Sequence, residues 1–85
     1  NLWENFIISE LRKKSDYAQV PFRDYFWRTF QQQEIDYVLE QNGKITAFEI
    51  KWNSLKKVKF PQTFTNNYPN AETYLLDKEN FFDFL

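Results

Sequence analysis

Apolar side chains recur at helical spacing through residues 2–14, LWENFIISELRKK. At about 100° per residue, Leu2, Trp3, Phe6, Ile7, Ile8 and Leu11 share one broad arc, with Asn5, Ser9 and Arg12 opposite. Asn1 suits the N-cap, and Arg12, Lys13 and Lys14 suit the C-terminal end of the helix dipole. Those basic residues also read simply as solubilising charges. Two acids interrupt the arc. Glu10 can lie at its edge and reach water, whereas Glu4 sits between Ile7, Ile8 and Leu11.

Pro21 blocks helix continuation, so residues 15–24 read as a loop. DYFWRTF, 24–30, is aromatic and β-favouring, and Gln31–Gln33 form a polar connection to the next strand. Residues 34–40 and 44–52 then alternate around Asn42-Gly43. Both turn residues accept the positive φ of a type I′ hairpin. NSLKKVKF, 53–60, is a basic connection, and Pro61 opens a short helix ending near Asn67. Pro69-Asn70 is a turn, AETYLLD (71–77) a fourth strand, and KENFFDFL a closing helix. This order predicts a small α/β domain, a mixed sheet of about four strands flanked by helices, in the sequence α-β-β-β-α-β. Residues 1–85 read as one domain.

The hairpin fixes a register. With Asn42 and Gly43 as the loop, Val38 faces Ala47, Asp36 faces Glu49 and Glu34 faces Lys51. One face then carries Ile35, Tyr37, Leu39, Thr46, Phe48 and Ile50, a core face; the other carries Asp36, Val38, Ala47, Glu49 and Lys51. Directly opposed residues have Cβ atoms ~4.5–5.5 Å apart, and like charges there are destabilising. A hard divalent cation between Asp36 and Glu49 would compensate. Lys51 follows roughly 6.5–7 Å along the same face and can offset the charge. The plainer reading is a half-exposed charged face, on which an acid-x-Lys triplet is common.

Composition narrows the chemistry. The chain has no Cys and no His, which excludes disulfides, thiolate and imidazole metal sites and histidine-based triads. Any metal site must be an oxygen site suited to Mg²⁺, Mn²⁺ or Ca²⁺. A formal charge of −1 gives no global field toward nucleic acid. No apolar run approaches the ~20 residues that span a bilayer, and no signal peptide is present, so no membrane and a cytoplasmic setting are expected. The start at Asn1 and the lack of Met read as a fragment of a longer chain. Aromatics make up 21% of residues, enough that Trp3, Trp52, Phe81 and Phe82 could leave a partner surface as well as a core.

Glu4, Asp36 and Glu49-Ile50-Lys51, on helix, strand and strand, resemble the PD-(D/E)XK, or restriction-endonuclease-like, superfamily. WENFIISEL, DYFWR, EIDYVLEQNGKITAFEIK and YLLDKENFFDFL resemble more narrowly the C-terminal domain of prokaryotic AAA-type ATP-binding proteins. Glu34-Ile35 stands where the superfamily's proline would precede Asp36. The resemblance implies a restriction-endonuclease-like core and a metal-dependent phosphodiesterase. Asp36, Glu49, the Ile50 carbonyl and Glu4 would hold Mg²⁺ or Mn²⁺, and Lys51 would act with Glu49, Asp36 and Glu4 in catalysis. Lys56, Lys57 and Lys59 would meet phosphates. It further implies an N-terminal ATPase domain of the same protein as partner, DNA as a candidate substrate, and room for an oligomer. No Gly-x4-Gly-Lys-Ser/Thr is present, so no ATP site is expected in these residues. The alternative is an inactive nuclease-fold module that docks the ATPase domain, another partner or nucleic acid.

Overall fold

The computed structural model describes residues 1–53 and 59–85. Helix α1 (Leu2–Tyr17) leads into strands β1 (Phe22–Arg28), β2 (Glu34–Gln41) and β3 (Lys44–Ile50); helix α2 (Gln62–Asn67) and strand β4 (Glu72–Leu76) follow, and a 3₁₀ turn closes the chain at Phe81–Phe84. The sheet order is β1-β2-β3-β4, with β4 parallel to β3 and the other pairs antiparallel. The expected α/β architecture and element order are therefore present.

Asn1 caps α1 by accepting the Glu4 N–H at 2.9 Å. The helix runs to Tyr17, past the expected end at Lys14, because its last turn finds a tertiary partner. Ser15 is buried, and the Gln41 amide on β2 donates to the Ser15 carbonyl at 3.0 Å. Arg12, expected on the outer face, reaches β1 and pairs with Asp24 at 2.9 Å; Asp24 also accepts the hydroxyl of buried Tyr37. Strand β1 lies two residues earlier than expected. Thr29 closes the next turn instead, accepting from Gln32 N and bonding Gln33, and Phe30 is left fully exposed. The closing segment is a 3₁₀ turn rather than a regular helix.

The hairpin at Asn42-Gly43 has φ of 56° and 76°, as a type I′ turn requires. Its pairs Gln41–Lys44, Val38–Ala47 and Tyr37–Phe48 match the expected register. Both sheet faces are buried, however. Ile7, Leu11, Tyr37, Phe48, Ile50 and Leu76 form one core beneath α1. Ile35, Val38, Ala47 and Phe64 form a second beneath α2. The face expected to be half-exposed is thus a core in its own right, and Ile35 belongs to it rather than to the Tyr37 face.

A β-bulge moves Ile35. Tyr25 pairs with Val38 and Trp27 with Ile35, so Phe26 alone stands opposite two residues, Asp36 and Tyr37. The extra residue resets the alternation, and Ile35 and Val38 fall on the same face.

Candidate metal centre

The same bulge sets the position of Asp36. Paired positions between β2 and β3 stop at Tyr37–Phe48, so Asp36 and Glu49 are not a ladder pair. Side chains bridge the seam instead. The Asp36 Oδ2 accepts the Ile50 N–H at 2.8 Å, and the Asp36 N–H points at Glu49 Oε1 over a long 3.4 Å. The two carboxylates expected to face one another are therefore neighbours, through side-chain-to-backbone bonds. The expected Glu34–Lys51 pairing does not form; Glu34 lies against Arg28 across β1 at 3.6 Å.

Glu49 is 8% exposed, which is low for a carboxylate. Burial, then the adjacent Asp36 charge, push its pKa up to about 7, although Lys51 pulls it down. Lys51 Nζ stands 4.0 Å from Glu49 Oε2 and remains half-exposed. A partly buried acid pair with one ammonium group at its rim is short of positive charge.

Of the acids on α1, Glu4 is the one that feels the charges of this site. Burial and the Asp36 charge raise its pKa, with Lys51 acting in the opposite sense. Glu10 pairs with Lys13 one turn along the helix at 3.2 Å. Trp3, beside Glu4, donates its indole N–H to the Lys51 carbonyl at 2.8 Å. The structure thus brings Glu4, Asp36, Glu49, Ile50 and Lys51 to one end of β2 and β3.

The chemistry of these groups limits what ion they could take. The side-chain donors are oxygens, those of two neighbouring carboxylates, Asp36 and Glu49. Among the described residues, no group of three acids is close enough to hold an ion. Glu4 stands near the pair without completing a cage. Mg²⁺ and Mn²⁺ are suited to such a set, since one or two carboxylates suffice when waters and phosphate oxygens fill the other positions; Ca²⁺, which takes six to eight oxygens, is served less well.

A family model, Domain of unknown function (DUF4143), matches residues 1–82. The chain belongs to the DUF4143 family. Neither a curated protein nor a solved structure matched it. None of the described helices is long and apolar enough to cross a membrane.

Of the lysines expected to meet phosphates in this DUF4143 domain, Lys59 is exposed, while Lys56 and Lys57 lie outside the described residues. Reading the sequence for ligands missed Trp3, whose part is to hold the Lys51 backbone. Its place beside Glu4, at the start of a helix whose apolar arc must pack on the sheet, was the available signal. The bulge was missed as well, and the spacing of Ile35 and Val38 carries no mark of it.

Proposed function

We propose that this DUF4143 domain is a metal-dependent phosphodiesterase module of the nuclease class, working beside an ATPase domain of the same protein. The observation that carries the reading is the Asp36–Glu49 pair, partly buried at the bulged end of the hairpin with Lys51 at its rim. Two adjoining carboxylates weaken a sheet unless their charge is used. The family, commonly a C-terminal domain of ATPase-associated proteins, and the resemblance in sequence support the ATPase context.

In this reading, Asp36, Glu49 and the Ile50 carbonyl would hold Mg²⁺ or Mn²⁺. Such an ion would supply a lowered water pKa and charge neutralisation for a phosphodiester. Asp36 is kept in place by the Ile50 N–H on Oδ2. Glu4 would accept a hydrogen bond from a water and orient it toward the phosphorus. Lys51 sets its ammonium group beside the phosphate and offsets the charge that grows on its oxygens.

Calorimetric titration with Mn²⁺ tests the reading, comparing the protein with Asp36→Asn and Glu49→Gln and repeating each run with a short oligonucleotide. Binding lost in both variants, with oligonucleotide cleavage lost in step, is expected. Equal heats in all three proteins would overturn it.

The docking reading rests on a different observation. Trp52 is 56% and Phe82 77% exposed, and both adjoin the ring cluster around Trp3 and Phe81. If Mn²⁺ and oligonucleotide both fail to bind, this aromatic surface becomes the better guide to function.

A further inference from the structure

Lys51 lies one residue beyond β3, where a strand end would ordinarily fray. Its N–H continues the parallel ladder by donating to the Leu76 carbonyl at 2.9 Å. Its carbonyl bonds the Trp3 indole, 48 residues away in the chain. The following carbonyl, of Trp52, accepts the Lys78 N–H at 3.2 Å. Three tertiary bonds therefore hold the strand end, one of them supplied by a side chain.

The Trp3 ring has little freedom to deliver that bond elsewhere. Trp52 meets it edge-on at 4.8 Å and Phe81 edge-on at 5.0 Å, while Phe6 stacks at 6.0 Å. Contacts from its own helix, from the residue after Lys51 and from the closing turn thus fix the ring. Its single polar atom is spent on Lys51. Glu4, the next residue, lies where it feels both Asp36 and Lys51. One side chain ties the helix turn bearing Glu4 to the strand end bearing Lys51.

We propose that Trp3 is a positioning residue: through its indole N–H it sets Lys51, and with it the spacing between Lys51 and Glu4, for the phosphodiesterase site. The proposal rests on the reading above for the purpose of that spacing, but the clamp itself can be measured apart from any turnover. Trp3→Phe keeps an aromatic ring and removes the donor. Replacing Trp3 with benzothienylalanine, which carries sulfur in place of the N–H, keeps the ring size as well and guards against a failure to fold.

Amide hydrogen exchange reads the clamp. Loss of one hydrogen bond is expected to speed exchange about 5–10-fold at Lys51 and Lys78, with hairpin amides near Gln41 and Lys44 unchanged. Mn²⁺ affinity should stay within about twofold, since Trp3 touches neither Asp36 nor Glu49. In oligonucleotide cleavage, kcat should fall roughly 10-fold or more with KM unchanged. Trp3→Phe combined with Lys51→Met should lose no more than Lys51→Met alone. Unchanged exchange at Lys51, equal acceleration at every amide, or cleavage losses that multiply in the double variant would each overturn the proposal. Local acceleration in a protein that neither binds Mn²⁺ nor cleaves would leave the clamp standing and sink the phosphodiesterase reading instead.

Discussion

At the scale of single residues, the proton of Glu49 ties the stability of the fold to pH. Its pKa is about 7 in the folded protein against an ordinary value of 4.5. Below 4.5 the carboxyl is protonated in both states and costs nothing. As pH rises from 4.5 toward 7 the unfolded chain loses this proton first, so stability falls, levelling off above 7. The Glu49 contribution should therefore make the protein about 1–3 kcal/mol less stable at pH 8 than at pH 5, discounted because the rim of the site meets solvent. Glu49→Gln should remove that part of the slope, and melting curves of both proteins at the two pH values isolate it from other carboxylates. Mn²⁺ should raise the pH 8 melting temperature of the parent protein and not of the variant. A parent protein as stable at pH 8 as Glu49→Gln would mean that Glu49 carries no strain.

Asp36 behaves differently, because its oxygen is already part of the backbone network. Asp36→Ala strands the Ile50 N–H and should cost about 1–3 kcal/mol. Asp36→Asn keeps an acceptor for that N–H, relieves the repulsion with Glu49 and should fold at least as stably, while the proposed function requires that it lose Mn²⁺ binding. Urea melts of the two variants separate the structural task from the chemical one. If the asparagine variant were as unstable as the alanine variant, the charge itself would be holding the seam.

At the scale of elements, the hairpin was legible in the sequence and its far end was not. Asn42-Gly43 needs positive φ at both positions, and few residue pairs supply it, so turn type and register followed together. Gly43→Ala should cost about 1 kcal/mol from backbone strain alone, since an added Cβ meets nothing within 4 Å. A denaturation midpoint unchanged by that substitution would argue against the I′ turn. The bulge opposite Phe26 left no such trace, because the choice of which strand takes an extra residue depends on how β1 and β2 fit across both cores. Ile35 was assigned to the wrong face for that reason alone. The extension of α1 was equally hidden: Ser15, Asp16 and Tyr17 look like a polar exit until Gln41 arrives from β2 to meet the Ser15 carbonyl. For the candidate site, the acids and the lysine were readable from strand alternation. The choice of Glu4 over Glu10 needed the packing of α1, because both acids lie on the same sequence arc and only one end of that arc crosses the hairpin seam.

For the whole molecule, the sheet with two buried faces decides how much damage the domain can absorb. At 0.05–0.15 kcal/mol per residue, a chain of 85 residues has roughly 4–13 kcal/mol in total. Phe64 is the fully buried residue of α2, with its ring 5.4 Å from Trp27 and 5.1 Å from Tyr68. It packs with Ala47 and with Ile35 and Val38, the two residues that flank the bulge holding Asp36. Phe64→Ala should cost about 3–5 kcal/mol, a large part of the whole. The informative measurement is whether the two cores fail together. The ¹⁹F resonance of Trp27 in fluorotryptophan-labelled protein, resolved from those of Trp3 and Trp52, reports on the α2 side, and far-ultraviolet dichroism reports chiefly on α1. Coincident urea transitions in Phe64→Ala would show that β2 and β3, shared by both cores, couple them into one cooperative unit, so that injury under α2 reaches the acid pair. A Trp27 transition that clearly precedes loss of helix would show the α2 core to be separable, and the site would then depend mainly on α1 and the Trp3 clamp.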